Sequence, residues 1–322
     1  MPTGAILAAS GPGGHHRPAI ARVSSAKKAS RPSYRCSRPH SSVYLFLAIS
    51  LTALHATTGL LASSIVTTAG CFALLIVGLP HGTLDLELLK RERGDGGVSM
   101  PVLLAMYLGL AVAMYALWRG APLGALVAFL LTAAMHFAED WRETDQPFLA
   151  QGSAVALLAA PAFVHRSELA ALFVALSGVD RAGLIADIML MVAPVGLAVG
   201  GVAVARLWTT GRRPQAAVTA ATFAAMVVLP PVIGFALFFC AHHSPRHLEE
   251  AWRDLAGTRP GRYLPIAAGL TVAAFGIAAA LFALETRIDA VAQAVAASFM
   301  TLSILTVPHM AVPAILSRRA AR

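Results

Sequence analysis

Residues Pro230–Glu250 read PPVIGFALFFCAHHSPRHLEE. Two adjacent prolines withdraw two backbone donors and push the residue before them out of helical conformation, so the apolar stretch 216–240 cannot be one helix. It divides into one segment over 215–229 and a second over 232–255. The second runs from VIGFALFFC directly into His242, His243, Arg246, His247, Glu249 and Glu250. On a regular helix, residues four apart are separated by ~6 Å along the axis and about 40° around it, so His243 and His247 share a face. His242 points about 100° away from it.

The rest of the chain explains why such a segment exists. Of 322 residues, 57% are hydrophobic and 13% charged, with a mean hydropathy of +0.69. That much apolar surface does not fit inside a water-soluble core of ordinary proportions. Lipid admits only helices and closed barrels, and long apolar runs without alternation select helices. The expected fold is all-α: a polytopic transmembrane helical bundle of about 8–10 helices. Its segments lie over 43–62, 65–89, 100–118, 122–141, 149–165, 183–207, 215–229, 232–255, 263–284 and 288–316, with 167–178 as an additional half-span. Gly196 and Gly200 form a GxxxG pattern, which in a span signals close helix packing.

Residues 1–42 are rich in Ser, Pro, Gly and basic side chains and read as a disordered basic cytoplasmic tail. An organelle transit peptide has a similar look. Residues 43–317 form the transmembrane helical domain, and 318–322 a basic C-terminal tail. With both termini inside, the inner side collects the N-terminal tail, Lys90, Arg91, Arg93, Arg142, Arg206, Arg212, Arg213, Arg253, Arg259, Arg262, Arg318, Arg319 and Arg322. The outer side keeps Arg119, Arg166, Arg181 and Arg287. This asymmetry obeys the positive-inside rule only if the chain breaks at Pro230-Pro231. The expected location is therefore the cell membrane, multi-pass, with N-terminus and C-terminus cytoplasmic. The net charge of +9 then points to anionic lipid of the bilayer and not to nucleic acid. Cys36, Cys71 and Cys240 follow no zinc or disulfide spacing.

The same topology sets the depth of the histidines. His81 in GLPHGTLDLELL, His136 in MHFAEDW, and His243 and His247 all fall in one inner layer. Ionisable groups at membrane depth are costly and mark working sites. Neutral imidazole suits iron, copper, zinc and nickel, so the four are expected to share one metal ion. Asp85, Glu139, Asp140, Arg246 and Glu249 travel with them as partners that orient ring nitrogens or balance charge. His55 is read as a packing contact, His165 as a solvated residue of an outer loop, and His309 stays outside the ligand set. Phe137, Trp141, Phe235, Phe238 and Phe239 are near enough in sequence to line an apolar pocket.

The motifs PHGTLD at Pro80–Asp85, HFAEDW at His136–Trp141, HSPRH at His243–His247 and the late Pro308-His309, in this order and spacing, resemble the Brp/Blh family of membrane β-carotene 15,15′-dioxygenases. The resemblance implies an Fe(2+) ion held by four histidines, which by motif are His81, His136, His243 and His247, with no catalytic side chain required beyond the ligands. It implies cleavage of the central double bond of β-carotene with O2 to give two all-trans retinal molecules, commonly for a retinal-binding rhodopsin of the same cell. One departure is Ala138, where the motif leads one to expect glycine. Two other classes fit the residues alone: a transporter or metal permease using the inner histidines as a path, and another membrane His-metal lipid oxidase such as a desaturase or hydroxylase. The first lacks an inverted repeat, and the second commonly has more HxxxH-type boxes than the one present here.

Overall fold

The computed structural model describes residues 38–84, 87–89, 99–256, 259–285, 287 and 289–320. Among these, the regular structure is helical throughout. The α-helices are α1 (Arg38–Thr58), α2 (Ser64–Ala73), α3 (Met100–Gly120), α4 (Pro122–Phe137), α5 (Pro147–Ala159) and α6 (Ala162–Ser177). They continue with α7 (Gly183–Thr209), α8 (Arg213–Val228), α9 (Pro231–Phe238), α10 (Ser244–Asp254), α11 (Pro260–Leu284) and α12 (Ala290–Ala320). Seven carry proline in their first turn, at Pro101, Pro122, Pro147, Pro214, Pro231, Pro245 and Pro260, where the missing N–H costs nothing and φ is already helical.

Among the described residues seven helical runs are long and apolar enough to cross a bilayer, and α5 with α6, bent by 66°, passes the same test as one broken crossing. The chain is a multi-pass membrane protein. The break expected at the proline pair is present: α8 stops at Val228, Leu229 is extended at φ −80°, ψ 150°, and α9 starts at Pro231. The half-span expected at 167–178 is the body of α6. Helix α1 begins at Arg38, five residues before the expected 43, and the tail over 1–37 lies outside the described residues.

One residue is placed differently from expectation. His165 is not a solvated loop residue but a buried one inside α6. Its Nε2 donates to the Val228 carbonyl at 2.9 Å, so it caps the end of α8 where the chain turns off toward the prolines. His165 ends the expected segment 149–165, yet α5 and α6 join near it through a tight bend with no loop to expose it. His55 packs as expected, with its ring 6.1 Å from that of His165.

Helix α12 is the central pillar. It is the most buried of the long apolar helices, and it packs on α2, α3, α4, α6 and α11. Small residues make this possible, among them Ala294, Ala296, Ala297, Ser298 and Ser303, which let neighbouring backbones approach. Trp118 on α3 donates its indole N–H to Ser303 at 2.7 Å, and Tyr44 on α1 bonds Thr222 on α8 at 2.8 Å, so buried polar tips are satisfied across helices.

The GxxxG pattern works as read. A Cβ on Gly196 would lie 3.1 Å from the backbone of Ala156 on α5, and a backbone cannot step aside as a side chain can. Gly196→Leu is therefore expected to lose ~1–3 kcal/mol of stability by overpacking. Gly201→Leu on the same helix, where a Cβ meets nothing within 4 Å, should be neutral. Thermal unfolding of both variants in detergent checks this; equal midpoints would contradict the close α5–α7 contact.

Candidate metal centre

Two distorted turns shape the site. Helix α2 passes at Leu74–Gly78 into a π-helix and then at Leu79–Leu84 into a 3-10 helix. Between α9 and α10, residues Phe239–His243 form a second π-helix. The two π turns pack on each other, and Gly78 is what lets them: a Cβ there would sit 2.2 Å from the Phe239 ring. Phe239 in turn stacks on the His243 imidazole at 5.2 Å, with ring planes 14° apart. Single π turns inside helices recur at functional sites because they re-aim side chains.

Helix α4 delivers His136 in its last turn and continues as a 3-10 helix, Ala138–Thr144, which carries Asp140. His136 Nε2 faces His243 Nε2 at 3.0 Å. His243 Nδ1 donates to Asp140 Oδ2 at 2.7 Å, with both side chains fully buried. On α10, the His247 ring lies 4.4 Å from that of His243, and its Nε2 is 3.8 Å from Asp140 Oδ1. The ligating atoms of Asp140, His243 and His247 lie within 4.8 Å of one another.

This donor set fits a metal ion. Because His243 Nδ1–H donates a hydrogen bond to Asp140, Nε2 of the neutral ring presents a lone pair toward His136. The 3.0 Å between the two Nε2 atoms is short enough for both to reach one ion, whose imidazole ligands stand at ~2.0–2.1 Å. The Asp140–His243 bond is the carboxylate–histidine arrangement that orients a ligating ring. Asp140 Oδ1 is buried and makes no hydrogen bond among the described residues, which leaves it directed at His247.

Asp140 is itself held. The Arg246 guanidinium, also buried, donates to the Asp140 carbonyl at 3.0 Å, to Glu143 at 2.8 Å and to Glu250 at 3.2 Å. Arg142 pairs with the same Glu250. One planar fork thus ties the 3-10 helix after α4 to α10.

Of the other expected residues, Glu249 pairs with Arg253 and His40, away from the cluster. Glu139 is exposed, and Asp85 lies outside the described residues. The side chain of His81 also lies outside them. Its backbone belongs to the 3-10 helix Leu79–Leu84, which packs on α10. His242 points away as expected, between Tyr44 and Phe238 at 5.1 and 5.8 Å. Ala138 has ordinary right-handed helical angles, φ −57° and ψ −25°, so nothing there requires glycine.

Two residues outside the expected set join the site from α12. The His309 ring lies 4.9 Å from that of His136, edge to face, and Met310 Sδ is 3.2 Å from His136 Nδ1. Pro308-His309 repeats the Pro80-His81 pairing, so a signal existed for the first; none existed for Met310.

An apolar cavity of about 330 Å³ abuts the cluster. His136, His309 and Phe239 form one wall, flanked by Gly82 and Thr83; the rest comes from α3, α11 and α12. Leu104 and Leu108 at its edge are 40% and 65% exposed on the outer surface of α3.

A sequence profile described as β-carotene 15,15′-dioxygenase matches residues 72–317, a span containing every residue of the cluster. The chain belongs to the β-carotene 15,15′-dioxygenase family. Family membership makes it an oxidoreductase of the carotenoid-cleaving class. A probable β-carotene 15,15′-dioxygenase of Halobacterium salinarum is 28% identical over 315 residues, covering 83% of this chain and 89% of that one. The β-carotene 15,15′-dioxygenase of an uncultured marine bacterium is 26% identical over 254 residues, 73% and 88% of the two chains. No solved structure matches.

Asp140→Asn keeps the shape and removes the charge behind His243. It is expected to weaken metal binding by about 10–100-fold, measured as metal content after dialysis against a graded chelator series. Wild-type retention would show that Asp140 does not act through His243.

Proposed function

We propose that this dioxygenase uses Fe(2+), held by His81, His136, His243 and His247, to cleave the central 15,15′ double bond of β-carotene into two retinal molecules. The observation that carries the reading is the 330 Å³ apolar cavity whose wall contains His136 and His309 and whose edge reaches the lipid-facing side of α3. A C40 polyene is soluble in the bilayer and not in water, so an enzyme for it gains by taking substrate sideways from lipid. One O2 balances the reaction: the C=C bond breaks, each carbon receives one oxygen atom, and no further reductant is needed.

A ferrous ion bound at the cluster would supply the place where dioxygen is activated toward the alkene. The chain's own residues do the remaining work. The Asp140–His243 bond fixes the ring that faces His136, and Arg246 fixes Asp140. Phe239, stacked on His243, sets an apolar floor beside the histidines and keeps water from the reacting bond. Leu302, Leu305 and Ile277 line the path along α12 and α11, holding the polyene by shape alone, as its lack of polar groups requires.

The placement follows from the charge asymmetry: the cell membrane, with both termini cytoplasmic and the cluster in the inner half of the bilayer. Retinal released there is available to a retinal-binding rhodopsin in the same membrane.

Expression in cells that accumulate β-carotene is expected to bleach them and yield retinal as the C20 product by chromatography. Intact pigment despite good expression and iron supply would contradict the reading. Alanine at His243 should abolish bleaching, whereas alanine at His242, which faces Tyr44, should retain most of it; equal losses would break the assignment.

A further inference from the structure

Resting on the carotenoid-cleaving reading, we infer that a second chamber, lined mostly by buried side chains, receives one ring-bearing end of the substrate and so determines which double bond is cut. It is an apolar cavity of about 60 Å³, bounded by α4, α6, Pro231, Phe235 and Phe299. The large cavity and this chamber adjoin on three helices at once. On α4 His136 faces the first and Phe137 the second; Phe239 faces the first and Phe235, one turn earlier, the second; on α12 the pair is Leu302 and Phe299. Phe235 and Phe299 precede their cavity-facing partners in the chain, and on α4 the chamber lining runs from Phe137 back to Leu126.

Only an aromatic partition separates the two. Phe235 stacks on Phe239 at 5.5 Å, Phe137 meets both edge to face at 5.7 and 6.2 Å, and Phe299 lies 5.8 Å from Phe235.

Central cleavage requires equal lengths of polyene on both sides of the reacting bond. An extended C40 carotenoid is about as long as the hydrocarbon core is thick, ~30 Å, so each half reaches ~15 Å. Along α4 the chamber lining runs from Phe137 back to Leu126, and from His136 to Leu126 is ten residues, or ~15 Å at 1.5 Å per residue. One half-molecule therefore matches in length the distance between the histidines and the chamber's end, while the other extends into the cavity that reaches the lipid-facing side of α3. At about 60 Å³ the chamber at rest is narrower than a cyclohexenyl ring, so substrate entry turns Phe235 and Phe299 aside and the apolar end holds them open. The partition also closes this route to water when no substrate is present.

The test uses the full-length, iron-loaded protein in detergent, with β-carotene as probe and product chain length as readout. Ala133→Leu, which places a branched side chain in the chamber one turn before Phe137, is expected to lower β-carotene turnover by about tenfold or more, the scale of a small misfit in a hydrophobic pocket. Leu126→Ala deepens the chamber's end and is expected to produce unequal apocarotenals beside retinal, because the ring travels past its stop. Ala133→Leu with wild-type iron content and unfolding temperature, yet turnover within twofold of wild type, would overturn the inference. If that variant does not fold, retinal as the sole product of Leu126→Ala overturns it. Wild-type protein that cleaves no β-carotene defeats the functional reading instead, so the two failures are distinguishable.

Discussion

The hydrogen bond between Asp140 and His243, 2.7 Å long and closed off from solvent on both sides, is the contact on which the rest of the site depends. It joins two parts of the chain separated by about a hundred residues, the 3-10 continuation of α4 and the π turn before α10. Breaking it would leave a buried carboxylate oxygen and a buried ring nitrogen without this hydrogen bond, which is costlier than the bond itself is favourable. The bond also selects the tautomer of His243, directing the lone pair of Nε2 at His136. Arg246 completes the arrangement by holding the Asp140 backbone and two further carboxylates, so the position of the carboxylate is determined by the meeting of two elements rather than by either alone.

Much of this was legible from the residues. Pro230 and Pro231 announce the break that separates α8 from α9, and without it His243 and His247 could not lie at the level of His136. The exclusion of His242 followed from helical spacing and matches its place against Tyr44. Other features had no local signature. A π turn adds one residue to a helical pitch with nothing in the sequence to mark it, so the nesting of Gly78 under Phe239 appears only when both turns are in place. Pro308-His309 repeats the Pro80-His81 pairing, but the approach of Met310 to His136 depends on how α12 lies against α4, a long-range packing outcome that no short window encodes. His165 illustrates the converse: it ends an expected segment, but a tight bend between two helices buried it against the end of α8.

The apolar cavity and the polar cluster are two answers to one solvent problem. Lipid demands that a cluster of imidazoles and carboxylates be shielded inside the bundle, and the pillar formed by α12 does this with small side chains that bring its neighbours close. The same helix carries Leu302, Leu305 and His309 into the cavity wall, so the element that shields the site also lines the way in. The aromatic rings between the cavities give the wall a surface that an extended polyene can slide along by dispersion and that water gains nothing by wetting.

The central claim is that imidazoles from distant segments converge on one ion. X-ray absorption at the iron edge, on protein loaded with ferrous iron in detergent, tests it most directly. The account predicts a first shell of nitrogen and oxygen donors with the outer-shell scattering pattern of several imidazole rings, weakened in His243→Ala. An iron spectrum with no imidazole scattering, or one unchanged by that substitution, would contradict it.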